Sequence, residues 1–408
     1  MRDVELYRHL LGLQAPWTVG QVTLDLKEHR VDVFAHHDSR AKWPCPQCGV
    51  ICPLHDHEPE RTWRHLDSCQ FRTLLHARVP RVQCEQHGIR QVAVPWAEPM
   101  ARFTKLFERM AIDVLQETSV RAGARLLGLS WDEAHHLMER AVERGLARRP
   151  NEPPRQMGVD EKAIGAGQSY ATVVYDIQTS HVVEMNPGRS KAALLACLGS
   201  YTPQQMAQIQ GVALDMCPPY IQLLHEVLPD APTKLVFDPY HVVAHLNKAV
   251  DQVRRQENQV LRPQGDDSLV GTKYMWLYGE ENLPDKYQVD FEALRHSTLK
   301  TARAWALKES LRRLWDCEEL EEGQQWWKRW YFWATHSRLE PVKKVARMVN
   351  NHIDGVMNYF LNPITNAVSE GLNTTIQLLK QRARGYRNFE NLRVAVLFHC
   401  GGLQLYPE

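Results

Sequence analysis

The amino-acid sequence predicts an α/β protein with several domains, and three observations lead to this prediction. The chain has 408 residues, of which 44% are hydrophobic and 24% charged, a globular composition with room for about two to four domains. Short alternating strands fill the first hundred residues, whereas strands and helices alternate from residue 157 onward. Between these regions "RRPNEPPRQ", 148–156, contains three prolines, which predicts a linker.

We expect four zones along the chain. They are a strand-rich module at 1–100, a helical domain at 101–150, an α/β core at 157–248 and 351–408, and an all-helical insertion at 249–350. No run reaches the ~18 apolar residues of a membrane span, and the N-terminus lacks the apolar core of a signal peptide. We therefore expect a cytoplasmic protein with no membrane partner.

Net charge is +1, which does not exclude a nucleic-acid partner, because such binding needs local basic surface. Basic residues cluster at 140–149 and in "KQRARGYR", 380–387. Each cluster taken alone is also explained by a solvated helix face.

Two short cysteine motifs predict a zinc site. "CPQCG" begins at Cys45, and "CEQHG" begins at Cys84 with His87 in the place of the second cysteine. The spacing lets each pair of side chains reach one ion, so Cys45, Cys48, Cys84 and His87 form a closed ligand set for one structural zinc ion. The alternatives are free thiols, or ligation by the neighbouring residues Cys52, His55 and His57.

A helix-turn-helix is predicted at "SVRAGARLLGLSWDEAHHLMERAV", 119–142. Gly128 and Leu129 form the turn, and Ser130 with Glu133 forms a capping box for the second helix. In this motif the second helix can enter a DNA major groove. An ordinary helical hairpin would show the same pattern.

Carboxylates end several apolar strands of the α/β core. "QMGVDEKAIG" carries Asp160, "GVALDM" carries Asp215 and "KLVFD" carries Asp238. Three strands, then helix, strand, helix, strand, is the order of a ribonuclease-H-like fold, in which the first strand lies at the centre and the fourth beside it. Asp160 and Asp215 would then lie close enough to share metal ions, as two-metal phosphoryl chemistry requires.

A third acid is expected on a late helix, "NPITNAVSEGLNTTIQLLKQRARGYRNF", which Pro363 suits as a start. Glu370 lies there on a polar face, ahead of a basic end. Asp238 is the alternative to Asp215, although Asp238 followed by Pro239 also suits a helix cap. His241 and His245 lie one turn apart and could bind metal, but no third ligand accompanies them.

Four stretches of this sequence are familiar: "GVDEKAIGAGQSYATVVYD", "VALDMCPPYI", "VFDPYHVVAHLNKAVDQVRR" and "NAVSEGLNTTIQLLKQRARGYRNFENLRVAVLFHC". Together with the cysteine motifs upstream they resemble bacterial insertion-sequence transposases of the ISL-three family, over nearly the whole chain. The resemblance implies a DDE transposase with a ribonuclease-H-like core, in which Asp160, Asp215 and Glu370 form the triad. One departure is His87, where a cysteine would be commoner in the family.

The resemblance also implies a mechanism and partners. Two Mg²⁺ (or Mn²⁺) ions held by the triad would serve DNA cleavage at transposon ends and attack of the freed 3′-hydroxyl on target DNA. The partners would be terminal inverted repeats and target DNA, bound by a homodimer at the bacterial nucleoid. Expected DNA-contacting residues are Arg121, Arg125, His135, His136, Arg140, Lys380, Arg382, Arg384 and Arg387.

Two other functions remain open from the sequence. One is a nuclease or resolvase of the same fold that cuts DNA without strand transfer. The other is an inactive, DNA-binding derivative that acts as a regulator. The tryptophans of "QQWWKRWYFW", 324–333, are expected in a helical core, and stacking on a flipped DNA base is the alternative.

Overall fold

The computed structural model describes residues 2–165 and 169–408, and the chain divides into two compact units. The N-terminal unit extends to Arg149 and includes Leu403–Glu408, and the C-terminal unit is Pro150–Gly402. The break falls in the proline-rich stretch predicted as a linker. The predicted core range reached residue 408, whereas the last six residues lie in the N-terminal unit.

Strands dominate the first part of the N-terminal unit, as predicted, but a helix precedes them. The helix is α1 (Asp3–Leu10). The strands are β1 (Trp17–Asp25), β2 (Arg30–His37), β3 (Trp43–Pro44), β4 (Ile51–Cys52), β5 (Leu54–His57), β6 (Arg61–Arg64), β7 (Arg72–Ala77), β8 (Pro80–Cys84) and β9 (Gly88–Gln91).

In the described part of this unit the strands form three small sheets, ordered β1-β2-β7-β6, β5-β8-β9 and β3-β4. One apolar core serves them all, and Trp63, Leu75 and Val82 are almost fully buried in it. Trp96 packs edge-on against both Trp17 and Trp63. The aromatic core compensates for the small size of each sheet.

Three helices complete the unit: α2 (Lys105–Glu117), α3 (Val120–Leu127) and α4 (Trp131–Arg148). The C-terminal residues lie on these helices. Arg144 donates to the backbone oxygen of Leu405 at 2.5 Å, and the Tyr406 hydroxyl donates to Asp113 at 2.6 Å. Leu403 fills the space beside Gly145, where a Cβ would clash at 2.6 Å. These contacts explain why the last residues leave the predicted core.

The C-terminal unit is built on a mixed sheet. Its strands are β10 (Gln156–Ala163), β11 (Tyr170–Asp176), β12 (His181–Pro187), β13 (Gly211–Leu214) and β14 (Leu235–Phe237). Among the described residues the order is β12-β11-β10-β13-β14. The first three strands are antiparallel, and β13 and β14 run parallel to β10. The first strand therefore lies at the centre with the fourth beside it, as predicted.

Helices surround this sheet and fill the region that follows it. They are α5 (Lys191–Leu198), α6 (Pro203–Met206), α7 (Pro218–Val227), α8 (Ala231–Lys234), α9 (Pro239–Leu261), α10 (Lys273–Leu277), α11 (Asp285–Arg295), α12 (Lys300–Arg312), α13 (Leu320–His336), α14 (Glu340–Asn350), α15 (Ile353–Met357), α16 (Ala367–Arg382) and α17 (Phe389–Cys400).

Two helix boundaries differ from the sequence prediction. The boundary expected between residues 248 and 249 falls inside α9, whose 23 residues run from the sheet into the helical region. The helix expected to start at Pro363 starts at Ala367. Asn366, just before it, bonds to Tyr175 and to the backbone oxygen of Val159, and these bonds fix the start of the helix.

The helical region between α9 and α15 has an aromatic core. Trp276, Trp327 and Trp330 are buried there, so the core prediction for the Trp-rich stretch holds for two of its tryptophans. Phe332 and Trp333 are instead 64% and 40% exposed. No helix in the described residues combines the length and apolarity that crossing a membrane requires.

Candidate functional site

Four metal-ligating side chains meet where two turns approach each other in the N-terminal unit. Cys45 and Cys48 lie in the turn between β3 and β4. Cys84 is the last residue of β8, and His87 lies in the turn between β8 and β9. The Cys48 and Cys84 sulfurs are 3.7 Å apart, and His87 Nδ1 lies 3.5 Å from Cys84 Sγ. Tetrahedral ligation with bonds of about 2.0–2.3 Å separates ligand atoms by about 3.3–3.8 Å. The donors therefore fit a structural zinc ion.

Backbone geometry prepares both turns for this role. Gly49 and Gly88 follow the two motifs with φ of +73° and +70°, a region that glycine enters without strain. The N–H groups of Cys48 and Gln47 lower the pKa of Cys45, which favours the thiolate that binds metal. Glycine at these two positions therefore lets each turn close without backbone strain.

The three competing ligands lie outside this set, although Cys52 borders it beside Cys84. Cys52 donates its thiol to the Val50 carbonyl at 3.3 Å, His55 pairs with Asp56, and His57 shares a hydrogen bond with His37. In residues 2–165 and 169–408 the predicted set is the only group of three or more such donors within 4.8 Å of one another.

The predicted helix-turn-helix is formed by α3 and α4. Gly128 ends α3 in the left-handed conformation, and Ser130 caps α4 through the predicted capping box with Glu133. The helices α2, α3 and α4 pack against one another. The sequence therefore specified both helices and the turn.

The predicted DNA-contacting residues of this motif fall into two groups, those that are exposed and those that are buried or paired within the protein. Arg121, Arg125 and His136 are exposed. His135, in contrast, is 5% exposed and stacks on Trp131. Arg140 lies 3.2 Å from Glu98 and 3.3 Å from Glu108, so its charge is neutralised within the protein.

In the C-terminal unit, the strand register places three carboxylate residues at the same position along three neighbouring strands of the sheet. Val159 pairs with Leu214, and Leu214 pairs with Phe237, across three parallel strands. These three residues lie in the apolar core of one sheet face. The residues that follow them are Asp160, within β10, and Asp215 and Asp238, directly after the ends of β13 and β14. Because side chains alternate along an extended chain, we expect these three acids on the opposite face.

Helix α16 lies on that opposite face, along β10. Asn373 donates to Asp160 Oδ2 at 2.7 Å, and Lys162 donates to the Asn373 backbone oxygen at 2.8 Å. Further along, Lys380 donates to the Ala163 backbone oxygen at 2.9 Å. The second oxygen of Asp160 accepts from the Glu161 N–H at 2.7 Å. Asp160 is thus held in a fixed orientation.

Glu370 lies on α16 between Asn366 and Asn373, four residues after one and three before the other. Residues at these separations share a helix face, and both asparagines touch β10. Glu370 therefore lies on the side of α16 that faces the strand, and it is exposed. Among the described residues, these carboxylates do not gather within 4.8 Å in a group of three.

Asp238 is both a helix cap and a buried carboxyl group. It caps α9 by accepting from the Tyr240 N–H, as its sequence context predicted, and it is 5% exposed. Burial raises its pKa, and the charges of Glu370 and Asp160 act in the same direction. The His241 ring lies between two acids, with Nδ1 3.7 Å from Asp215 Oδ2 and Nε2 3.9 Å from Asp238 Oδ2.

The basic end of α16 carries no counter-charge. Arg382, Arg384 and Arg387 are exposed, and in the described parts of the chain none of them forms an ion pair within 4.0 Å. Lys380 is half-buried beside β10. These cations follow Glu370 along the same helix and its C-terminal turn.

Sequence reasoning gave no role to Asn373 and took His241 as a packing residue. A signal existed for each. Asn373 lies one turn from Glu370 on the predicted polar face, and His241 lies one turn after Asp238. His245, the other histidine considered, is half-buried, and burial lowers its pKa.

Family models match the zinc module, the helix-turn-helix and the C-terminal unit, and all three models describe transposases. A family model for ISL3-type DDE proteins, described as "Transposase", matches residues 157–396. The "zinc-finger of transposase IS204/IS1001/IS1096/IS1165" matches residues 41–87, and the "Helix-turn-helix domain of transposase family ISL3" matches residues 92–142.

Two relatives illustrate the similarity. The transposase for insertion sequence element IS1001 of Bordetella parapertussis is 29% identical over 351 residues, covering 85% of this chain and 86% of the relative. The transposase for insertion sequence element IS1557 of Mycobacterium tuberculosis is 28% identical over 436 residues, covering 98% and 96%. With the family model matching more than half of its length, this chain belongs to the ISL3 family of insertion-sequence transposases.

Proposed function

We propose that this protein binds the terminal inverted repeats of an insertion sequence, cleaves DNA at those ends and joins the freed 3′-hydroxyl to target DNA. The zinc module (1–100) and the helix-turn-helix domain (101–150) would recognise the ends. Catalysis would belong to a ribonuclease-H-like core, residues 157–248 and 351–402, interrupted by the helical insertion 249–350. The central position of β10, with β13 parallel beside it, supports that fold.

The alignment of carboxylates on neighbouring strands carries the proposal. Asp160 on β10 and Asp215 directly after β13 follow the paired residues Val159 and Leu214. Glu370 shares a face of α16 with Asn373, which donates to Asp160. The ends of parallel strands are where α/β proteins place reactive groups. We assign catalysis to Asp160, Asp215 and Glu370, with Asp238 as a buried neighbour.

These residues suit a hard divalent cation. Carboxylate oxygens are the donors that Mg²⁺ and Mn²⁺ prefer, and Glu370 is accessible from solvent. Two such ions, held by Asp160, Asp215 and Glu370, would supply an activated water and neutralise charge on the phosphate. Asn373 orients Asp160 for this role, and His241 lies within 4.0 Å of both the Asp215 and the Asp238 carboxylates.

The DNA backbone would lie along exposed cations near the site. Phosphate contacts supply most of the affinity of such proteins and fix their register on the duplex. For the core we propose Lys380, Arg382, Arg384 and Arg387, and for the helix-turn-helix Arg121, Arg125 and His136. We leave out His135 and Arg140, because one is buried and the other is paired.

Joining two transposon ends requires that two active sites act together, so we propose a homodimer on DNA. We place the protein in the bacterial cytoplasm, at the nucleoid.

A strand-transfer assay tests the proposed function. DNA from either side of the reading frame, pre-cut to leave a 3′-hydroxyl, is mixed with protein, Mg²⁺ and a circular target. We expect covalent joining of the pre-cut strand to the circle. Cleavage of uncut ends without any joining would instead indicate a nuclease. Neither cleavage nor joining by the wild-type protein would contradict the proposal.

A further inference from the structure

An open groove lies on the helical region away from the aligned carboxylates, between α13 and the α14–α15 segment. Its volume is about 590 Å³, within the range typical of ligand-binding clefts. One wall is aromatic, formed by Trp327, Tyr331 and Phe332. Polar side chains lie around it, among them Asn350 and Asp354. We infer that this groove binds an unpaired DNA base, and the inference rests on the proposed function.

The aromatic wall has the form of a stacking surface. Trp327 and Tyr331 are stacked at 5.6 Å between ring centroids, and Phe332 stacks on His336 at 4.0 Å. Phe332 nevertheless remains 64% exposed. A nucleobase has a flat π-face and stacks on aromatic side chains whatever its sequence.

The polar residues supply hydrogen-bond partners for the edge of a base. Asn350 accepts from the Trp327 indole N–H at 3.3 Å through its Oδ1, which leaves its amide N–H groups to donate. Asp354 is exposed and is an acceptor. One donor and one acceptor beside an aromatic plane match the edge of a nucleobase better than they match a purely apolar peptide.

The surrounding charge favours a nucleic acid over an apolar partner. Residues 324–350 contain six lysines and arginines and a single acid, Glu340. Of the six, only Lys343 forms an ion pair within 4.0 Å among the described residues, and its partner is Glu340. Lys328 lines the groove itself. Unneutralised cations beside stacking aromatics are the combination that binds single-stranded DNA.

The groove is connected to the carboxylate-bearing sheet. Ile353, Asp354 and Met357 of α15 line it, and α15 packs on β14 through Gly355, where a Cβ would meet the Phe237 ring at 2.4 Å. Phe237 directly precedes Asp238. Helix α15 thus connects the groove to β14, the strand that ends directly before Asp238.

Binding of defined DNA tests this inference. The probes are two duplexes of the flanking DNA, one blunt and one ending in an unpaired overhang that contains 2-aminopurine. The fluorescence of this base falls when it stacks on an aromatic ring. The variants are Phe332→Ala and, as the matched control, Trp333→Ala, which removes an exposed aromatic that does not line the groove.

We expect the wild-type protein to prefer the overhang duplex and to quench the probe. Phe332→Ala should lose the quenching and bind the overhang about 5- to 150-fold more weakly, the range for one stacked base. Its affinity for the blunt duplex should not change, and Trp333→Ala should behave as wild type.

Equal behaviour of both variants, in a protein that still joins pre-cut ends, would overturn this inference and leave the proposed function standing. A wild-type protein that binds neither duplex and joins no ends would overturn both. Weaker binding of Phe332→Ala to the blunt and overhang duplexes alike would also contradict the inference, because it would indicate a duplex-binding surface.

Discussion

The zinc site and the carboxylate edge, where we propose a second kind of metal binding, differ in how closely the chain brings the ligands together. In the zinc site all four ligand atoms already lie within 4.8 Å of one another. At the carboxylate edge Asp160 and Asp215 are level with each other, but no group of three acids is that close in the described residues. A site that only stabilises a fold can be closed, whereas a site that acts on DNA must leave room for substrate oxygens.

The two groups of ligands also differ in the electrostatic free energy of holding them together in the folded protein. The zinc ligands are small, and backbone N–H groups favour the Cys45 thiolate. The acids repel one another, and burial with neighbouring charge raises the pKa of Asp238. The following predictions test this contrast, in order of decreasing expected effect.

Removing zinc should unfold the N-terminal module and leave the C-terminal unit intact. Structural zinc contributes about 10 kcal/mol or more to the folding of small metal modules. Metal analysis should find about one zinc per chain, and Cys84→Ser should lose it together with hydrogen-exchange protection of β8 and β9. Cys69→Ser is the control, because Cys69 is exposed and outside the ligand set. Protein that folds normally without zinc would contradict the prediction.

Asp215→Asn should reduce DNA cleavage by about a thousandfold or more, equivalent to about 4 kcal/mol of transition-state stabilisation. Binding to the transposon ends, measured by mobility shift, should persist. Asp230→Asn is the matched control, because Asp230 is exposed and adopts a left-handed conformation that asparagine also accepts. Unchanged cleavage by Asp215→Asn would refute its assignment as the second ligand.

Asn373→Ala should slow cleavage by about 10- to 100-fold, because a hydrogen bond to a charged group contributes about 1.5–3 kcal/mol. The loss should appear in the turnover rate and as a higher Mg²⁺ requirement, with DNA affinity unchanged. Gln377→Ala, one turn further along α16 and exposed, should have no such effect. An equal loss in both variants would show that α16 had been disturbed generally.

Asp238→Asn should stabilise the protein slightly at neutral pH. Because burial raises the pKa of Asp238 in the folded state, its ionised form destabilises the fold once pH exceeds the ordinary carboxyl pKa. The stabilities of the variant and the wild type should become equal at acidic pH, where the wild-type carboxyl is protonated. Asparagine keeps the helix cap. Thermal unfolding measured across pH without metal tests this, and a less stable variant at neutral pH would contradict it.

Local chemistry could be predicted from the sequence wherever a motif is short and its partner is near. The ligands Cys45 and Cys48 follow from spacing alone, and so does the Ser130–Glu133 capping box. To predict that Asp160 and Asp215 are neighbours, the order of the strands in the sheet must be predicted as well. The structure has the predicted order.

What depends on distant partners could not be predicted. Arg140 belongs to a basic run, but Glu98 and Glu108 lie more than thirty residues away in sequence and neutralise it. Likewise, the polar face that Asn373 shares with Glu370 does not specify its hydrogen bond to Asp160, 213 residues earlier. The sequence shows which charged side chains a helix carries, and tertiary contacts decide which of them remain unpaired.

The placement of Leu403–Glu408 on α2 and α4 has a consequence for synthesis. Arg144 and Asp113 are among the residues that bind this segment, and they leave the ribosome about 260 to 290 residues before it does. The helix-turn-helix domain therefore reaches its full set of contacts only after the entire C-terminal unit has been translated. A chain that ended within the C-terminal unit would lack the segment that packs on α2 and α4.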